Sequence, residues 1–209
     1  MKTQVPSRIE EVLTFWFEGV DDSALIEQKG PPYNKWFVKN PKFDEDIRTR
    51  FTALLQEADE GKCSDWEKSP RGTLALIIVF DQFSRNMYHG TRQMFAYDKK
   101  ALFLSQSAIQ QNKDRAFSLI ERTFLYMPFM HAEDRAAQEL SLLCFGRLVE
   151  ESKKINPLNT PYFRYSLDYA RRHSAIIERF GRFPHRNALL KRPSTLEESA
   201  FLQKPGSSF

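Results

Sequence analysis

An all-α fold follows from three features of the 209-residue sequence. Apolar residues recur at three- and four-residue spacing along most of it. Helix-start signals stand ahead of most of these runs. No stretch alternates polar with apolar, and none carries a hairpin turn. Seven to nine helices with short links are predicted, packed as antiparallel neighbours in one domain over residues 1–203, with a frayed tail over 204–209.

The elements follow in order. Ser7-Arg8-Ile9-Glu10 has the capping-box pattern, and Ile9, Val12, Leu13 and Trp16 then mark a helix face to about Phe17. Gly30-Pro31-Pro32 is a stretch no helix crosses, and Tyr33, Trp36 and Phe37 form an aromatic knot after it, read as a core plug. Asn40-Pro41 and Ser69-Pro70 each pair a cap with proline at the first helical position. Phe43, Ile47, Phe51, Leu54 and Leu55 give the first of these helices its inner face, and Gly61 ends it. The second runs into Leu74–Phe80, apolar on every side, which its flanking signals make a buried helix delivering Asp81-Gln82-Phe83-Ser84-Arg85-Asn86. Asp98 is placed as the cap of the next helix. Pro128 is expected to interrupt another just before His131-Ala132-Glu133-Asp134, where both acids would offset the dipole of a new helix. Asn159-Thr160-Pro161 starts a long helix closed by Gly181, and Ser194-Thr195-Leu196-Glu197 reads as a second capping box.

Composition narrows the class. Eighteen Phe, seven Tyr and three Trp supply a large core. No apolar run approaches the ~20 residues of a membrane span. The opening MKTQVPSRIEEV lacks a secretory hydrophobic region, and Cys63 and Cys144 are too few for a disulfide scaffold or a cysteine zinc site. A cytoplasmic protein without membrane contact is expected.

Net charge is +4, but between Arg171 and Arg192 seven basic residues face Glu178 alone. Such an excess focuses a field on an anion unless acids elsewhere in the fold pair with it. Within it, Arg179-Phe180-Gly181-Arg182-Phe183-Pro184-His185-Arg186-Asn187 reads as a stiff non-helical loop, with Phe180 and Phe183 as anchors and a dense set of donors. Asp81 and Arg85, four apart at the end of a buried helix, can pair on one face. His131 has no structural account. His173 has one, as a core histidine on the apolar face of the long helix. His185 stands among donors and is the histidine expected to move protons. Convergence of the three would be needed for a metal site, and no metal or cofactor motif is present: no phosphate loop, dinucleotide fingerprint, nucleophile elbow or metalloprotease helix.

Asp81–Asn86, Phe124–Asp134 (FLYMPFMHAED), and His173–Asn187 with the Ser194-Thr195-Leu196-Glu197-Glu198 run make the chain resemble the bacterial domain-of-unknown-function family numbered 924. That resemblance implies a TPR-like stack of antiparallel helix pairs wound as an α-α superhelix, and no established activity. Ser84 stands where the family pattern has proline, and Leu190-Lys191-Arg192 where Leu-Gly-Arg is usual.

Two functions are expected from the residues. One is a polar pocket of Arg85, Asn86, Glu133, His173, Arg182, Arg186 and Asn187, with Asp81, that binds a small carboxylate or phosphate, His185 and His131 acting as acid–base groups. The other is a non-catalytic module that clamps an acidic peptide with the same arginines. Nucleic-acid binding meets only the charge part of its signature and is not favoured.

Overall fold

The computed structural model describes residues 7–208, so the first six residues of the predicted domain and the last of the predicted tail lie outside it. The described chain is helical with no strand. Its α segments are α1 (Arg8–Phe17), α2 (Pro31–Phe37), α3 (Pro41–Asp59), α4 (Pro70–Ile77), α5 (Ser84–Met87), α6 (Asp98–Gln110), α7 (Leu119–His131), α8 (Arg135–Ile155), α9 (Thr160–Phe180) and α10 (Leu196–Leu202). A π-helical segment, Ile78–Phe83, joins α4 to α5, so the three form one rod and the described residues hold nine helices apart from short 3-10 turns.

Most start and stop signals act as read. Ser7, Asn40 and Ser69 each accept a hydrogen bond from the first turn of α1, α3 and α4. Gly181 closes α9 at φ 68°. Four readings need correction. Pro128 lies inside α7 without ending it, because ten buried residues hold that helix against a proline cost of about 3 kcal/mol. Asp98 is the first residue of α6 and does not cap it; its carboxylate is committed to two arginines. The last capping box is Thr195 with Glu198, one residue later than the pattern placed it. The Pro184–Arg186 stretch forms a 3-10 turn.

Lys191 has φ 53°, left-handed backbone that favours glycine, the residue the resemblance led one to expect there. Ser84, the other departure, donates its hydroxyl to the carbonyl of Phe80 at 2.5 Å.

The main core joins α1 to α9 around aromatic rings. Phe124 of α7 meets Trp16, Phe17, Trp36 and Phe37 at centroid separations of 5.0–6.1 Å. A smaller cluster of Ile176, Ile177 and Phe183, with Phe180 and Phe201, seats the C-terminal segment on the end of α9.

The C-terminus of α7 is held by a side chain of the next helix. Gln138, 2% exposed, donates its amide to the carbonyls of Phe129 (3.2 Å), Met130 (2.7 Å) and Ala132 (2.8 Å). Gln138→Leu keeps the bulk and strands those acceptors. It is expected to destabilise the protein by about 2 kcal/mol, which chemical denaturation measures.

Candidate functional site

The rod formed by α4, the π segment and α5 brings polar groups to its end. A π turn inserts a residue into the helical ladder and recurs at functional sites. Carbonyls there are taken up by side chains of the same rod. Ser84 bonds Phe80, Arg85 bonds the Asp81 carbonyl (3.1 Å), and Asn86 bonds that of Gln82 (2.8 Å). Asp81 is thereby fixed inside the protein with 0% exposure.

Its carboxylate has three partners. One oxygen receives the Nδ1 of His131 at 2.7 Å and Arg85 at 3.1 Å, and the other receives the Gln82 amide at 2.5 Å. Burial alone would raise its pKa; Arg85, His131 and Gln82 outweigh that and hold it at about 2. Burial, followed by the Arg85 charge, pushes His131 below the usual histidine value in spite of Asp81. At neutral pH the pair is therefore a carboxylate and a neutral imidazole. Nδ1–H donates to Asp81, which leaves the lone pair on Nε2. Arg85 also pairs with Asp98 at 2.9 Å, and Arg186 with the other oxygen of Asp98 at 3.2 Å. Arg186 further donates to the His131 carbonyl at 2.9 Å.

This dyad stands at the wall of a cavity of about 370 Å³. His131 is the accessible member, its side chain 17% exposed while that of Asp81 is wholly buried. Tyr33, Trp36, Phe37, Phe145, Tyr162 and Tyr169 make most of the apolar lining. Met94, Met127 and Met130 add flexible thioethers, which adapt to irregular ligands. Gln82, Arg85, Asn86 and His173 complete the polar part near the dyad, and Lys39, Asp44 and His89 also line the space. His173 donates from Nδ1 to the Tyr169 carbonyl at 2.8 Å, and burial, then His131, pushes its pKa well down. The rings of His131 and His173 stand 6.2 Å apart.

Of the residues singled out from sequence, Arg85, Asn86, His131 and His173 line the cavity and Asp81 backs it. The other five lie outside the lining. Glu133 is clamped by Arg192 at 2.6 and 2.8 Å and by the Phe183 amide at 2.8 Å, so it offsets no helix dipole. Arg182 pairs with Glu198 at 2.6 Å, and Asn187 donates to Ser194 at 3.0 Å. Arg186 lies between the rings of Phe95 and Phe183. His185 packs against Phe183, and burial together with Arg186 lowers its pKa to about 4. The basic cluster is thus largely paired with distant acids, Arg179 with Glu197 among them.

Tyr33, Trp36 and Phe37, expected as a core plug, line the cavity; Phe145, Tyr162, Tyr169, Asp44 and His89 carry no site expectation from sequence, and Asp98 is expected only as a cap. Asp44 did carry a signal. It falls on the buried stripe of α3 with Ile47 and Phe51, where a carboxylate is out of place.

The all-helical fold and the buried dyad at a largely apolar cavity define a small helical protein with a candidate small-molecule site. The chain belongs to the family described as bacterial protein of unknown function (DUF924), which matches residues 12–206. A solved structure of a protein of unknown function from Agrobacterium tumefaciens is similar to it, with 35% identity, a TM-score of 0.75, and coverage of 94% of this chain and 97% of that one. No curated protein matches. Among the described residues, no group of three or more His, Cys, Asp or Glu could hold a metal ion, and no helix is long and apolar enough to cross a membrane.

Proposed function

We propose that the cavity binds a compact small molecule with an anionic or carbonyl head and an apolar body, and that His131, backed by Asp81, serves as its acid–base group. The observation that carries this reading is the 2.7 Å contact between His131 Nδ1 and a fully buried carboxylate, with the imidazole at the wall of an apolar space. Nε2 can take a proton from a water or from the ligand, and Asp81 then stabilises the imidazolium. Arg85 lies beside the dyad, and its Nη2 has no hydrogen-bond partner among the described residues. The Arg85 guanidinium, which lines the cavity, suits an anionic head or charge developing on a carbonyl oxygen. The proton-handling role passes from His185 to His131 on this reading, because His185 does not line the space. Cytoplasmic location and TPR-like stacking fit a small-molecule protein equally well.

An acidic-peptide clamp has less support, since Arg179, Arg182, Arg186 and Arg192 are engaged by the protein's own carboxylates. The same pairing weakens the case for nucleic acid.

The test is isothermal titration with 3-phenylpropanoate, which joins a ring to a carboxylate. Wild type is expected to bind it with a Kd of roughly 1 mM or tighter, the range open to so small a ligand. His131→Gln should weaken binding tenfold or more while the far-UV spectrum stays unchanged. A flat wild-type titration, or equal affinity in both proteins, would sink the reading.

A further inference from the structure

Asp44 is the carboxylate of the cavity lining, and it stands apart from the dyad. It sits in the first turn of α3 and is only 9% exposed. Among the described residues its carboxylate accepts no hydrogen bond and forms no ion pair, although it lines the same space as His131. The dipole of α3 favours an acid in this turn, but an exposed position would satisfy that preference. A carboxylate that faces a cavity without a protein partner leaves its acceptor oxygens open to whatever occupies that space.

Its surroundings differ from those of the dyad. Burial raises the Asp44 pKa, and the charges that act against this are His89, Arg48 and Lys39. None of these is tied to the carboxylate by a hydrogen bond. Arg48 is already engaged, donating to the Met87 carbonyl at 2.7 Å and pairing with Glu45. The groups acting on His131 are Arg85, Asp81 and Asp98, a separate set. The cavity therefore has two electrostatic poles, one built around a closed Asp–Arg–His network and one around an open carboxylate. The lining of the same space includes Tyr33, Trp36 and Phe37, and aromatic rings attract ammonium ions.

We propose that Asp44 is an ammonium-binding subsite, so that the ligand of this cavity is an amine with an apolar body. The proposal rests on the cavity being a ligand site, as above, and adds the chemical class of what enters it. An incoming ammonium supplies the missing partner, and the aromatic wall surrounds its carbon skeleton. The group on which His131 acts then belongs to the same molecule, further along its apolar body.

The experiment titrates phenethylamine (a ring and an ammonium) and 3-phenylpropanoate separately into wild type and Asp44→Asn. Wild type should bind the amine, and Asp44→Asn should weaken that binding tenfold or more. The acid, relieved of a repelling charge, should bind the variant as tightly as wild type or more tightly. Removing a carboxylate that has no protein partner should leave the melting temperature unchanged or raise it by a few degrees, whereas a structural Asp44 would lower it. Asp44→Ser serves as the second variant should Asn not fold. Equal amine affinity in wild type and variant, or no amine binding by wild type, overturns the subsite. If the amine binds as expected and the acid does not, the anionic head is lost and Asp44 stands; the opposite pattern leaves the dyad reading and removes this one.

Discussion

Asp81→Ala is expected to destabilise the protein by roughly 3–5 kcal/mol, the usual consequence of removing one member of a buried charge pair. Three groups lose their acceptor at once: His131, Gln82 and one arm of Arg85. Arg85 keeps Asp98, which places the cost at the lower end of that range. Asp81→Asn separates stability from function. It preserves volume, yet the amide no longer holds His131 as the Nδ1–H tautomer, so ligand binding falls further than stability does. Urea denaturation of both variants, beside titration with 3-phenylpropanoate, reads the two effects; a loss under 1 kcal/mol for the alanine variant would show that the Arg85–Asp98–Arg186 arm holds the site alone. The carboxylate also sets an acid limit. Because its folded pKa is about 2, its contribution is complete above the ordinary aspartate value near 4 and is lost as pH falls from there through 2.

Helices were legible because their signals are local. Asn40-Pro41, Ser69-Pro70 and Gly181 act through backbone groups within four residues, so a reading of neighbours suffices. The π turn was not legible, since one inserted residue changes no pattern in an all-apolar run. The basic stretch misled for the opposite reason. Its charge sum is local, but its partners are not: Arg192 finds Glu133 at a separation of 59 residues and Arg186 finds Asp98 at 88. Glu133 was consequently read as a helix-dipole acid, and Asp134 alone fills that place, capping α8 through the Ala137 amide at 2.8 Å. Asp81–Arg85 was legible because the pair lies within one helical turn. The aromatic lining of the cavity was not, because Trp36 and Tyr162 look the same in sequence whether they fill a core or line a space.

Gly72→Ala is expected to cost about 3 kcal/mol, against the gain of about 1 kcal/mol that alanine brings to an ordinary helix position. Gly72 lies in the first turn of α4, where an added Cβ would stand 2.2 Å from the carbonyl oxygen of Trp66 and 2.8 Å from its carbon. Both are backbone atoms of the 3-10 turn Ser64–Lys68, so no side chain can swing aside. The turn must move away, and what binds it to α4 goes with it. Ser69 caps Gly72 at 3.1 Å, Thr73 reaches the Glu67 carbonyl at 3.3 Å, and Lys113 reaches the same carbonyl at 2.5 Å. Overpacking of about 1–3 kcal/mol and a weakened cap of about 0.5–2 kcal/mol together exceed the propensity gain. Because α4 continues unbroken into the segment that carries Asp81, the strain is expected at the cavity as well as at the helix start. Chemical denaturation gives the first effect, and titration with 3-phenylpropanoate the second. An alanine variant as stable as wild type would show that the turn yields without disturbing the rod.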